Sequence, residues 1–247
     1  MDGLRVTWSP FRIRGTTRLA PHEAAGFPAA PIPLLLRPRT VEVSVDLSLE
    51  ASTPAVDFCR GLPPETLEVL APLGAHHVEE SGTWRGTIVL DGHTHVVAGS
   101  GSRDHSWGRR SWAAADHWRL FTVSFGADLA VHALAVSASG RLVEGGFVWR
   151  DRRAERITRV QYVTEGKGDG LRAVELRLTT AAGPPLRLRG RVLRTITVPV
   201  DVERRPARHL LGRPYRLVLH ESFTRYETAD RVGHGIAELT ERPLLDG

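Results

Sequence analysis

The residues with the greatest chemical potential in this 247-residue chain crowd into one stretch, Gly99-Ser100-Gly101-Ser102-Arg103-Asp104-His105-Ser106-Trp107-Gly108-Arg109-Arg110-Ser111-Trp112, followed by Asp116, His117 and Trp118. An acid, an imidazole and an indole lie within four positions, among glycines whose backbone freedom lets such side chains turn inward. In an extended backbone Asp104 and His105 point to opposite sides, while His105 and Trp107 share one. A histidine and an indole facing one pocket would set a proton donor beside a surface that stabilises developing positive charge. Trp107, Trp112 and Trp118 are a heavy aromatic load for a chain that is only 6% aromatic. The alternative is architectural: a domain-linking turn in which Asp104 pairs with Arg103 or Arg109 and Trp107 plugs the core. Residue types alone leave both open.

The elements that must position this stretch read as strands. Residues 40–50 alternate apolar and polar throughout, the pattern of a strand with one wet face. The same period recurs in 173–179, 186–192 and 194–198, and further strands are expected at 86–90, 95–98, 118–125, 129–136 and 216–220. Turn chemistry separates them, most clearly Asp91-Gly92, which reads as a hairpin. Helical signal is confined to 63–70, where a proline in the first turn and Glu65 and Glu68 favour an N-terminal end. The prolines of 28–33 break regular structure there and suggest an extended covering segment. Many short strands with Gly/Pro turns indicate an all-β protein built as an antiparallel sandwich or barrel. The glycine-rich centre is the expected junction, dividing an N-terminal β domain (1–100) from a C-terminal one (101–247).

Composition narrows the functional classes. Charged residues make up 25% and hydrophobic residues 41%, ordinary values for a folded domain. The 33 bases exceed the 28 acids by five, yet Lys167 is the sole lysine and the arginines are spread among acids. A nucleic-acid binder concentrates its bases in a stripe or tail, and only 204–216 resembles a local patch, so no nucleic-acid partner is expected. No stretch is long and apolar enough to span a bilayer, and no secretory signal opens the chain. The single cysteine, Cys59, excludes an internal disulfide framework and reads as a small buried hydrophobe in a reduced, cytoplasmic setting. His93 and His95, with His105 or His76 and His77, could be imagined around zinc, but no metalloenzyme motif supports them, and neither metal nor cofactor is expected. Phosphate-binding loops and a serine-hydrolase elbow are both missing from the sequence.

The string Gly-x-x-x-Asp-His-x-Trp-Gly resembles the signature of the carotenoid 1,2-hydratase (hydroxyneurosporene synthase) and AttH-like superfamily, which includes lipocalin-like Diels–Alderases. The fuller Gly-x-Gly-x-Arg-Asp-His-Ser-Trp-Gly-x-Arg is closer to a bacterial branch of it, and Gly86-Thr87-Ile88-Val89-Leu90-Asp91-Gly92 and Gly233-His234-Gly235-Ile236-Ala237-Glu238 are similar in turn. The resemblance implies two lipocalin-like β-barrels packed side by side, the first trimmed, with an apolar pocket at their junction. It also implies acid-initiated chemistry served by a His-x-Trp pair, matched by His105 and Trp107, and by a downstream Tyr-x-Asp pair. The second pair has no counterpart in Leu129-Ala130-Val131-His132-Ala133-Leu134. Asp104, His132, Glu80 and Glu238 are left as replacement acids.

The expected function is a cofactor-independent enzyme that cyclises, isomerises or hydrates a hydrophobic isoprenoid- or polyketide-like substrate. Asp104, His105 and Trp107 would be catalytic, with Arg103, Trp84, Trp112, Trp118, His132, Glu80 and Glu238 lining the substrate pocket. The partner is a hydrophobic small molecule, and a homodimer is one open assembly. A non-catalytic carrier of lipids or terpenoids is the alternative, and polyanion binding through 204–216 is a third reading.

Overall fold

The computed structural model describes residues 5–8, 11–19, 41–60, 62–108, 111, 114–138, 140–201 and 216–241. The proline-rich 28–33, Trp112 and the arginines at 204–213 lie outside them. Fourteen strands and one short helix are described, so the chain is all-β, as the period-two patterning required.

The first six strands form one antiparallel sheet: β1 (Arg5–Trp8), β2 (Phe11–Leu19), β3 (Val41–Ala51), β4 (Val56–Asp57), β5 (His76–Leu90) and β6 (His93–Trp107). Helix α1 (Pro64–Leu70) links β4 to β5, with a proline in its first turn and Val69 and Leu70 buried. The remaining eight are β7 (His117–Ser124), β8 (Leu129–Ala138), β9 (Arg141–Arg150), β10 (Arg153–Glu165), β11 (Ala173–Thr180), β12 (Leu186–Asp201), β13 (Arg216–Glu227) and β14 (Val232–Glu241). They close a barrel in the order β10-β11-β12-β13-β14-β7-β8-β9. The N-terminal unit is thus the trimmed member, a sheet rather than a second closed barrel among the described residues.

Two apolar cores follow from strand alternation. Phe121, Val131, Val148, Ile157, Leu178 and Tyr226 fill the barrel interior, as small barrels require. The outward residues of the same strands, Leu120, Leu134, Val136 and Phe147, pack against Phe58 and Leu70 beneath the sheet. Strand β8 is buried on both faces, which is why its sequence runs apolar without alternation.

The glycine-rich centre, expected as a junction, is regular strand up to Trp107. The division after residue 100 therefore falls inside β6, and the chain crosses to the barrel between Trp107 and His117. Gly101 serves close packing, since a Cβ there would stand 2.7 Å from Cδ1 of Trp84. The Asp91-Gly92 hairpin forms with both residues at positive φ (48° and 78°), the type I′ geometry. Asp151 and Arg152 (51° and 60°) turn β9 into β10 in the same way with no glycine to announce it.

A polar pin joins the layers. Glu79 and Ser81 on β5 and His132 on the outer face of β8 are all fully buried. His132 Nε2 and Ser81 Oγ are hydrogen-bonded at 2.8 Å. His132 Nδ1 approaches Glu79 Oε2 to 3.1 Å without hydrogen-bond alignment, and neither atom has another hydrogen bond. Truncating His132 strips a buried carboxyl and a buried hydroxyl of their barrel-side partner. His132→Ala is therefore expected to cost about 2–4 kcal/mol in urea unfolding. A loss below about 0.5 kcal/mol would show that apolar packing alone holds sheet and barrel together.

Candidate active site

A cavity of about 380 Å³ opens where the sheet meets the outside of the barrel. Its apolar wall includes Leu70, Leu73, Leu120, Leu134 and Val136, with Leu219 beside them. Its polar wall has two halves, one from each layer.

The barrel half is a pair of carboxyl groups. Antiparallel register puts Glu221 of β13 directly opposite Glu238 of β14, so their side chains emerge together on the barrel's outer face. The Trp118 indole N–H of β7 donates to Glu238 Oε1, and the Trp118 backbone N–H is itself fixed by Thr240 Oγ1 at 2.8 Å. Burial, then the Glu221 charge, push Glu238 up to about 8, against the opposing pull of the indole hydrogen bond. Burial raises Glu221 too, offset in part by its hydrogen bond to Glu238. Two such groups resist ionising together. At neutral pH the pair holds a proton, and Glu238 is a neutral carboxylic acid.

The sheet half is an imidazolium held between acids. His77 Nε2 lies 3.0 Å from Asp104 Oδ2 and 3.1 Å from Glu79 Oε1. Burial disfavours the charged ring, but hydrogen bonds and charge from Asp104 and Glu79 outweigh it and lift His77 to about 10. Cross-strand register places Asp104 opposite Glu79, and Ser106 Oγ donates to Asp104 Oδ1 at 3.1 Å. The donor atoms of His77, Glu79 and Asp104 fall within 4.8 Å of one another. That spacing can accommodate a cation, and the protonated His77 already supplies the positive charge. The order Ser81–His132–Glu79 superficially resembles a hydrolase triad. Ser81 is fully buried, however, and its N–H is taken by Thr53 Oγ1 at 2.9 Å, which leaves no route for an acyl group.

Of the residues singled out from the sequence, Asp104, His105, Trp118 and Glu238 border the cavity. His132 stands behind it, acting on the site through Glu79. Trp107 is not part of the wall: its ring is 43% exposed, stacked on His76 at 4.6 Å and tilted against His105 at 4.7 Å. His76 is held there by Asp57, 2.9 Å from its Nδ1. The His-x-Trp pair therefore sits together but does not meet Glu238 as one proton-donating unit. Arg103 is salt-bridged to Glu80 at 2.6 Å and lies 4.9 Å over the Phe11 ring. Trp84 meets Phe11 edge-on at 5.5 Å. Cys59 lines the cavity with its thiol pushed up by burial and by Asp57, so it stays protonated.

Sequence reasoning missed His77 and Glu221 as site residues. The alternation His77-x-Glu79-x-Ser81 was visible as three polar residues on one face of a strand. Glu221 gave no local signal, because its role arises only from pairing with Glu238.

The chain resembles solved structures along nearly its whole length. Kievitone hydratase from Nectria haematococca aligns over 97% of this chain and 68% of its own, with a TM-score of 0.55 at 12% identity. An AttH-type protein from Nitrosomonas europaea aligns over 96% of this chain and 66% of its own, with a TM-score of 0.53 at 17% identity. The chain thus spans about two thirds of each, and at these identities the likeness establishes the fold, the one implied by the resemblance to AttH-like lipocalin-type proteins. A comparison with curated proteins returned no match. A family model described as a domain of unknown function, DUF7064, matches residues 2–243, and the chain belongs to that family.

Proposed function

We propose that this protein is a cofactor-independent acid–base enzyme acting on a hydrophobic, isoprenoid- or polyketide-like substrate in the cavity between sheet and barrel. The observation that carries the reading is the Glu221–Glu238 pair, which keeps a carboxylic acid protonated at neutral pH against an apolar wall. A carboxyl group can act as general acid near pH 7 only when its environment raises its pKa in this way. The sequence placed Asp104 among the catalytic residues, but its carboxylate is engaged by His77, 3.0 Å away. The donor role passes to Glu238.

Glu238 transfers its proton to a substrate alkene or carbonyl oxygen. The new C–H bond forms with the alkene's π electrons, or the new O–H bond with a lone pair of the carbonyl oxygen, and positive charge develops beside the carboxylate left behind. That charge is stabilised by the Glu221–Glu238 anion beside a mainly apolar wall. Three outcomes balance. Loss of a different proton back to the carboxylate pair isomerises the substrate, and attack by a second alkene followed by the same loss cyclises it. Addition of water, its proton passing to the pair or to Asp104, hydrates it. Trp118 orients the acid through its indole N–H. The fold likeness to a protein named as a hydratase supports the third outcome without selecting it.

The non-catalytic carrier is the second reading, because an apolar cavity alone would serve it. A carrier has no use for two opposed carboxyl groups set against an apolar wall, an arrangement that costs desolvation.

Two expectations follow. In D2O, a panel of alkene-bearing isoprenoids and polyketides screened by mass spectrometry should yield a product carrying solvent deuterium. Glu238→Gln should slow its formation about 100-fold or more, whereas turnover unchanged in that variant would remove Glu238 from the chemistry.

Stability should carry the same signature. The folded-state value for Glu238, about 8, lies above its ordinary 4.5, so the folded protein holds more protons than the unfolded chain within that window. Stability is then fully present below about 4.5 and lost as pH rises through about 8. Chemical denaturation across this window should show Glu238→Gln losing less stability than the wild type. Parallel profiles would mean that Glu238 ionises normally.

A further inference from the structure

A second cleft, of about 290 Å³, lies along the same seam between sheet and barrel and is lined mainly by apolar surface. Its position is fixed by register. On the barrel side the first cavity takes the row Leu120, Glu238 and Glu221, and the second takes Thr122, Ile236 and Phe223. Leu120 pairs with Glu238 and Thr122 with Ile236 across β7 and β14. Glu238 pairs with Glu221 and Ile236 with Phe223 across β14 and β13. The two rows are consecutive on the outward face, about 7 Å apart. On the sheet side the same step separates Asp104 from Ser102 along β6.

The second cleft lacks the acids of the first. Trp84 forms one side, held by its indole N–H donating to the Ser102 carbonyl at 3.4 Å and set close against β6 by the missing side chain at Gly101. Phe223 and Leu193 form the other, 47% and 52% exposed, two large apolar side chains brought together at one cleft.

We propose that the two cavities form one elongated binding cleft, in which the second takes the unreactive apolar tail of a ligand whose reactive end lies at Glu238. This rests on the proposed reading of the first cavity as the site of an apolar substrate, and adds that the substrate is a long chain or an extended fused-ring skeleton. Trp84, Leu193 and Phe223 are then specificity-determining residues. Binding energy gathered by the tail holds the reactive end in place, so truncated substrates lose rate as well as affinity.

The test is calorimetric titration of straight-chain methyl ketones, from short to long, into the wild type and into the Leu193→Ser/Phe223→Ser double variant. Both substituted positions are exposed, so folding is expected to survive, and circular dichroism checks it. In the wild type, affinity should rise about two- to fourfold per added methylene once the chain outgrows the first cavity. In the variant this rise should flatten while short ketones bind as before. A wild-type series without steepening, an equal slope in the variant, or no binding by any member would overturn the proposal. Failure of the acid–base reading shows separately: Glu238→Gln would then leave turnover of the deuterium-labelled panel unchanged, whatever the slope.

Discussion

Two carboxyl groups on neighbouring strands, turned outward from a barrel towards the covering sheet, resist ionising together. Glu221 and Glu238 stand opposite each other because antiparallel register leaves them no other place. Like charges in that arrangement repel, and an apolar surround removes the water that would screen them. The proton on Glu238 is thus enforced by topology as much as by local chemistry. Trp118 then fixes one oxygen of Glu238 through its indole hydrogen bond, while Glu221 meets the group from the neighbouring strand.

The opposite wall is arranged for the reverse purpose. His77 is charged because Asp104 and Glu79 reach it together, and behind Glu79 stands the barrel's own His132, 3.1 Å away. A strand of the sheet and a strand of the barrel therefore meet through buried polar atoms at the point where the cavity needs definition. Apolar packing beneath the sheet supplies most of the adhesion, but it is nondirectional. The pin between β5 and β8 supplies direction, setting His77 and Asp104 across the cavity from Glu238. The barrel interior is filled by side chains such as Phe121 and Tyr226. The site belongs to the seam.

What the sequence made legible follows from range. Residues 40–50, 129–136 and 173–179 announced themselves by period or apolar run, and Asp91-Gly92 by its turn chemistry, because these signals are local. The 63–70 helix was readable for the same reason. The stretch from Gly99 to Trp107 was misread as a junction, since glycines that permit close packing look like glycines that permit turns. Gly101 is present for Trp84, a neighbour across the hairpin rather than along the chain. The site behaved likewise. Asp104, Trp118 and Glu238 were singled out by residue type and lie at the cavity, whereas Trp107, equally prominent, stacks outside on His76. Glu221 acquires meaning only through Glu238, 17 positions away, which no local pattern carries, and His77 pairs with Glu79 two positions on but also with Asp104, 27 positions on.

The central claim is that Glu238 is uncharged at neutral pH. Side-chain carboxyl 13C resonances, assigned by comparing the wild type with Glu238→Gln and Glu221→Gln, report it directly through a pH titration of the folded protein. The account predicts a Glu238 resonance that keeps its protonated shift through pH 7 and titrates near 8, and that moves towards the ordinary carboxylate range when Glu221 is replaced. A Glu238 resonance already ionised at pH 6, and indifferent to Glu221, would contradict it.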